Sequence, residues 1–334
     1  MGGPLKVGVI GLGTWGEKHL QVLKGTAGVE VVAVCDTGQD RLKALAARYG
    51  VSRSYTSFSE MLANERLDAV HVVTPEPAHR EPVVQASSKG IHVLVEKPMA
   101  TNLEDADAMI RASETNKTIL MVGHILRWDT RYAMVKESIE SGGFGKIASI
   151  FARRSVNRAQ APTFLSRSTP VMQLGIHDID IILWYKRSKV RRAYCRSSRI
   201  LDFKHPDNTT STLEFEDGSF AVVYNSFSLP DSVPAFVGAR MEVLGEKSFT
   251  IIDMSEQGLF VSDDKGYRTP DTTLIPVVRG ELGGTLRQEI EYFARCVASG
   301  KQPEIIRPEE SREALRVARA CESSMADGRP VELD

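Results

Sequence analysis

Cysteine is scarce in this chain, four residues in 334. Cys35, Cys195, Cys296 and Cys321 show no C-x-x-C spacing, so they read as buried thiols of a reducing, cytoplasmic protein and not as a zinc site or a disulfide framework. Neither sign of charge is in excess: 42 Lys and Arg stand against 43 Asp and Glu, a formal net charge of −1. That balance argues against nucleic acid or a membrane surface as the main partner, since both call for a strong basic bias. No apolar run approaches the roughly 18 residues needed to span a bilayer. The opening MGGPLKVGVI runs straight into a strand pattern, without the apolar region and cleavage site of a signal peptide. No set of His, Asp and Glu has metal-ligand spacing, so no metal is expected. There is no internal repeat and no low-complexity segment.

What is present is room for about two domains and one organising stretch, residues 4–36. Lys6–Ile10 is a β-rich run that breaks at Gly11-Leu-Gly13-Thr14-Trp15-Gly16. A helical pattern follows (His19, Leu20, Leu23), then a second β-branched run, Val29–Val34, ending at Asp36. Strand, glycine turn, helix, strand and acid form the context in which G-x-G-x-x-G reads as a dinucleotide fingerprint. Gly11 allows the tight turn, Gly13 the approach of backbone to a pyrophosphate, and Gly16 the close packing of helix on strand. The N–H groups at the helix start hold phosphates. Asp36, 20 residues after Gly16, can accept from both adenosine-ribose hydroxyls and repel a 2′-phosphate. NAD is therefore preferred, with Arg41 the residue that would soften the choice and leave NADP possible.

From residue 1 to about 123 the pattern alternates: strands near 53–55, 69–73, 92–95 and 118–122, with helices through Leu42–Tyr49, Met61-Leu62, Val83–Ser88 and Leu103–Asn116. This predicts a doubly wound parallel sheet with ligands off the carboxyl ends of its strands. The glycine loop, Asp36, Thr74-Pro75, Glu96-Lys97 and Gly123-His124 all fall there. Residues 124–334 differ in texture. A strand over 146–156 and a helix over 173–185 precede five strand patterns without intervening helices, with Asp217-Gly218 a hairpin signal. The expectation is an α/β domain with an open, mainly antiparallel sheet that binds substrate and mediates oligomerisation. Amphipathic helices over 285–299 and 308–325 close the chain, and the last can pack back on the first domain.

Two groups of residues carry chemistry. Glu96-Lys97-Pro98 follows a strand on the ligand side of the sheet. A lysine there can donate to an alcohol oxygen that is becoming a carbonyl and stabilise its developing charge, with Glu96 to orient it and Pro98, cis or trans, to stiffen the turn. Alone, a Lys-Pro pair is ordinary surface loop. The second group is Gln173, His177, Asp180 and Trp184, which share one face of a helix whose Ile176, Ile179 and Leu183 pack inward. His177 can take an alcohol proton near neutral pH. A lone histidine is more often a satisfied core residue; the glycine loop and Lys97 favour the catalytic reading. His71, His92 and His205 have no evident partner.

Together these motifs resemble the Gfo/Idh/MocA oxidoreductases, the glucose–fructose oxidoreductase and inositol dehydrogenase group. The resemblance runs over Gly11–Gly16, Asp36, Thr74-Pro75 with His79, Glu96-Lys97-Pro98, Gly123-His124 with Arg127, and His177-Asp-Ile-Asp180. It implies a Rossmann domain, hydride transfer between NAD(P) and a secondary hydroxyl of a sugar or cyclitol, and catalytic roles for Lys97 and His177. It implies cofactor contacts from Thr14, Trp15, Thr74, Pro75, His79, Glu96 and Lys97. His124, Arg127, Trp128 and Arg154 are the further substrate-binding candidates, and Arg153, Arg154, Arg158 and Arg167 are read as one basic cluster. Homodimers or homotetramers through the open sheet are also implied. The family's usual aspartate before the histidine is Gln173 here; it can orient substrate or imidazole but brings no charge. Three other functions fit the same motifs: a UDP-N-acetylhexosamine 3-dehydrogenase, a glycosidase that retains NAD, and a dinucleotide sensor without chemistry.

Overall fold

The computed structural model describes residues 3–233, 237–255, 258–264 and 266–333. The chain divides into two compact units, Met1–Ile125 with Leu274–Arg312, and Leu126–Thr273 with Glu313–Asp334.

The first unit is built on a six-stranded sheet of β1 (Leu5–Ile10), β2 (Val29–Cys35), β3 (Arg53–Tyr55), β4 (Ala69–Val72), β5 (His92–Glu96) and β6 (Leu120–Gly123). All pair in parallel, in the order β3-β2-β1-β4-β5-β6. Five helices make the crossovers: α1 (Thr14–Lys24), α2 (Gln39–Tyr49), α3 (Phe58–Asn64), α4 (Arg80–Ser88) and α5 (Leu103–Asn116). β4 and β6 are buried along their whole length, as strands covered by helices on both faces must be. Local chemistry sets the helix ends. The side chains of Ser57 and Asn102 accept from the N–H groups of Glu60 and Asp105, and Gly50 closes α2 in the left-handed conformation at φ 63°. The strand order reverses beside β1, so the loops after β1 and β4 diverge and leave a crevice at the carboxyl edge.

In the second unit α6 (Thr130–Glu140), which the sequence pattern did not reveal, precedes β7 (Ile147–Asn157). There follow the short helix α7 (Ala161–Leu165), α8 (Ile176–Tyr185), and strands β8 (Val190–Ser198), β9 (Asn208–Phe215), β10 (Phe220–Leu229), β11 (Gly238–Gly245) and β12 (Phe249–Asp253). The hairpin expected at Asp217-Gly218 forms, β9 with β10, and β11 pairs with β12 in a second one. In this sheet, among the described residues, only β7 and β10 pair in parallel, so the sheet is mixed and, as expected, mainly antiparallel. Along β7, Ile150, Ala152, Arg154 and Val156 are buried while Phe151 and Arg153 are exposed. One face lies under helix α8, which packs on β7 and β10; the other is open. This alternation also separates the arginines: Arg154 points inward, whereas Arg153, Arg158 and Arg167 are exposed, so no single basic cluster forms.

The small hairpin strands β13 (Val261–Asp263) and β14 (Gly266–Arg268) follow, then β15 (Val277–Val278) and β16 (Glu281–Leu282) in the first unit. α9 (Gly284–Ser299) buries Leu286, Ile290, Phe293 and Val297 and packs against α1. α10 (Pro308–Asp327) leads to β17 (Val331–Glu332), which pairs with β8 at the sheet's edge. Among the described residues no helix is long and apolar enough to cross a membrane.

Candidate active site

At the carboxyl edge of the first sheet, Gly11 has φ +93°, and a Cβ there would stand 2.6 Å from the Val73 carbonyl oxygen. A Cβ on Gly16 would stand 2.0 Å from the Gly11 carbonyl oxygen. Both positions therefore exclude any side chain, whereas no described atom lies within 4 Å of a Cβ on Gly13. The loop opens into the start of α1 at Thr14, where free N–H groups and the helix dipole favour phosphate. This backbone fits a dinucleotide pyrophosphate.

Asp36 is buried at the end of β2, 6% exposed. Its Oδ2 accepts from the Leu12 N–H at 2.7 Å and its Oδ1 from the Gly38 N–H at 2.7 Å. Arg41 adds two more donors, Nε to Oδ2 at 3.2 Å and Nη2 to Oδ1 at 2.6 Å. Burial works against the Asp36 carboxylate, but the Arg41 bond and the two backbone N–H bonds outweigh it and hold its pKa below the ordinary value. All four lone-pair directions are then in use. The acid foreseen as a ribose ligand also pins the glycine loop, and half-exposed Arg41 (51%) stands on the oxygens that ribose hydroxyls would need.

Glu96 ends β5, Lys97 and Pro98 form the turn after it, and the Lys97–Pro98 peptide is cis. Lys97 is the one residue from Val93 to Ala100 that is not buried. Glu96 Oε1 accepts from Trp15 Nε1 at 2.8 Å and lies 3.0 Å from His19 Nε2, while Oε2 accepts from the Lys97 N–H at 3.1 Å. The carboxylate overlies Gly123, where a Cβ would stand 2.8 Å from Oε1. His79, foreseen as a cofactor contact, is a strut between turns. Its Nε2 lies 2.8 Å from the Thr74 carbonyl oxygen, and its Nδ1 lies 3.2 Å from those of Pro98 and Met99. Burial lowers its pKa despite these carbonyls.

In the second unit the segment foreseen as one α-helix starts differently. Val171–Gly175 winds as a π-turn, and α8 begins at Ile176. A Cβ on Gly175 would stand 2.6 Å from Asn225 Oδ1, so glycine lets this wide turn press against β10. Gln173 lies in it, 4% exposed. From Val171 to Ile182 only His177 is not buried. Two bidentate ion pairs hold the helix. Arg127 donates to Asp180 at 3.0 and 2.7 Å, and Arg154 to Asp178 at 3.1 and 2.8 Å. Every one of these side chains is at most 4% exposed. Arg127 also stacks over Trp184 at 5.4 Å, where Lys136 stands at 5.5 Å. Arg127 and Arg154, foreseen at the substrate, are thus engaged by the helix that carries His177. Trp128 and, in the first unit, His124 are buried.

Residues 5–124 match the model of an oxidoreductase family with an NAD-binding Rossmann fold, and residues 132–249 match the Gfo/Idh/MocA C-terminal domain. The chain belongs to the Gfo/Idh/MocA oxidoreductase family. Similar proteins include the myo-inositol 2-dehydrogenase of Thermotoga maritima, 28% identical over 342 residues and 99% of each chain. Another is the scyllo-inositol 2-dehydrogenase (NAD(+)) of Bacillus subtilis, 27% identical over 99% of this chain and 96% of that one. The solved myo-inositol 2-dehydrogenase of Lactobacillus plantarum has a TM-score of 0.85 at 25% identity, covering 99% of this chain and 100% of that one.

For a Gfo/Idh/MocA chain, the first unit therefore supplies an NAD site and the chemistry is that of a dehydrogenase acting on CH–OH groups. Sequence reasoning carried Asp178 within the His177-Asp-Ile-Asp180 motif but gave it no role, although two acids two residues apart on a helix, with two upstream arginines, were a usable signal. It left His71 and His92 without partners. His92 Nδ1 accepts from the Ile119 N–H at 2.8 Å, and His71 meets His19, 3.0 Å between their Nδ1 atoms. Nothing in the local pattern announces a contact between residues 52 apart. Among the described residues, no group of three or more His, Cys, Asp and Glu could hold a metal ion.

Proposed function

We propose that this chain oxidises a secondary hydroxyl of a cyclitol or sugar, with Lys97 and His177 as its catalytic residues. The observation that carries the assignment is shared by two otherwise buried segments, 93–100 and 171–182: the residues that emerge from burial are Lys97 and His177. Bound NAD would supply the acceptor for hydride from the carbinol carbon. Lys97 donates to the substrate oxygen and stabilises its developing charge, and the His177 imidazole accepts the hydroxyl proton. Gln173 orients the substrate or the imidazole by hydrogen bonds. The N–H groups at the start of α1 hold the pyrophosphate, and Asp36 takes the ribose once Arg41 swings aside. The inositol dehydrogenases among its relatives make cyclitols the first substrates to try, and those names do not favour the nucleotide-sugar, glycosidase or sensor alternatives.

The open face of the second sheet exposes Phe151, Phe220, Tyr224, Leu244, Phe249 and Ile251. A second copy of the chain covers it in this reading, giving a homodimer or homotetramer. The four cysteines, buried and unpaired, suit a reducing cytoplasm.

The decisive experiment is Lys97→Ala assayed by NADH absorbance over myo-inositol, scyllo-inositol, free sugars and UDP-N-acetylglucosamine. Turnover should fall by about 10²–10⁴-fold while NAD binding by calorimetry holds. Near-normal turnover would remove Lys97 from the chemistry.

A further inference from the structure

The mechanism leaves two buried histidines of the first unit unused. His19, on α1 three residues after Gly16, is 0% exposed; His71, in the middle of β4, is 1% exposed. Their Nδ1 atoms lie 3.0 Å apart, and His19 Nε2 lies 3.0 Å from Glu96 Oε1. His71 rests edge-on against Phe293, with ring centroids 5.5 Å apart. These contacts form one chain, His71–His19–Glu96, and Trp15 joins it at the same carboxylate oxygen.

Proton counting fixes its sense. An ionised carboxylate only accepts, so the nitrogen that faces it, His19 Nε2, must carry a proton. The Nδ1–Nδ1 contact holds one proton, so one ring donates there and the other accepts. Where His71 donates, His19 is the neutral Nε2–H tautomer; where His19 donates, it carries both protons as an imidazolium; either way its Nε2–H faces Glu96. Burial opposes the Glu96 carboxylate, yet the bond from His19, the charges of His19 and Lys97 and the Trp15 bond hold its pKa below the ordinary value. Burial, together with His19, keeps His71 well below the usual histidine range, hence neutral. Glu96 in turn accepts the Lys97 N–H, so the position of the catalytic turn depends on where that carboxylate is held.

We propose that His19 and His71 are positioning residues. Together they fix one N–H donor on Glu96, and so tie the glycine loop that holds the dinucleotide to the turn that presents Lys97. The inference rests on the catalytic reading of Lys97, but the hydrogen-bond chain itself can be tested without turnover.

Two substitutions at residue 19 separate positioning from packing. In His19→Gln the amide nitrogen takes roughly the place of imidazole Nε2, and in His19→Asn that of Nδ1. The glutamine variant should keep kcat within about threefold of the parent. The asparagine variant should lose about 100-fold in kcat, the cost of a misplacement near 1 Å. The NAD dissociation constant should change little in both, because the phosphate-binding N–H groups remain. Equal kcat losses in the two variants, or none in either, would overturn the proposal. Nitrogen-15 NMR of the labelled parent protein gives the independent readout. A proton on His19 Nε2 and a shared proton between the Nδ1 atoms, perturbed at His19 by His71→Phe, support the chain; a bare Nε2 overturns it. Lys97→Ala run in parallel keeps the two failures distinct. If that variant turns over normally, the catalytic reading falls, and the NMR result still decides the chain.

Discussion

Removing one partner of the Arg127–Asp180 pair should harm the second unit more than removing both. The groups meet at 3.0 and 2.7 Å, and each side chain is 1% exposed. With charge centres roughly 4 Å apart and an effective dielectric of about 20, their attraction is about 4 kcal/mol. Desolvating each ion costs several kcal/mol, so the pair as a whole adds little net stability. Arg127→Met, however, takes its bidentate partner from a buried carboxylate, at a cost of about 3–5 kcal/mol. That is a large share of the roughly 5–15 kcal/mol that holds an ordinary domain. Arg127→Met with Asp180→Leu removes both charges and should lie within about 2 kcal/mol of the parent. Urea denaturation followed by tryptophan fluorescence measures all four proteins, since Trp128 and Trp184 both lie in this unit and Trp184 sits under the Arg127 guanidinium. His177 precedes Asp180 by three residues on α8, so the single variants should also lose kcat and the double variant regain part of it. A substrate-binding Arg127 would behave otherwise: Arg127→Met would raise KM at unchanged stability, and adding Asp180→Leu would restore nothing. That pattern would refute the structural assignment.

Asp36→Ala removes the partner of Arg41 and frees its guanidinium for a 2′-phosphate. One charge-assisted hydrogen bond is worth about 1.5–3 kcal/mol, so the preference for NAD over NADP should shrink by about 10–100-fold in kcat/KM, and an unchanged ratio would count against the site. Gln173→Asp adds a negative charge near His177, which favours the imidazolium and raises the pKa of the base. The acid limb of kcat/KM should then move to higher pH; a limb that stays put in an active variant would mean that the π-turn carries residue 173 away from His177. Phe151→Glu on the open sheet face should shift sedimentation toward monomer without unfolding the chain, and an unchanged oligomer would place the interface elsewhere.

The alternation of strands and helices over residues 5–123, the glycine loop, Asp36, the Lys97 turn and the His177 helix were all legible in the amino-acid sequence. Each is encoded locally, by a two-residue or 3.6-residue period, a turn residue or a capping residue within a few positions. Even α5 came out residue for residue, because Asn102 caps it and Lys117 ends it in the left-handed conformation. What stayed hidden depends on contacts between residues far apart in the chain. The parallel pairing of β7 with β10 joins strands some 70 residues apart, and no local period reports the direction of a partner. The π-turn at Val171–Gly175 arises where Gly175 meets Asn225. Arg127 and Arg154 looked like substrate ligands because a charge in a sequence shows no partner; burial against Asp180 and Asp178 gives them another task. Asp36 shows the division within a single residue. The sequence by itself determined that an acid ends β2, whereas only the tertiary structure decided that Leu12, Gly38 and Arg41 would occupy its oxygens, because a buried carboxylate takes whatever donors the packing brings within reach.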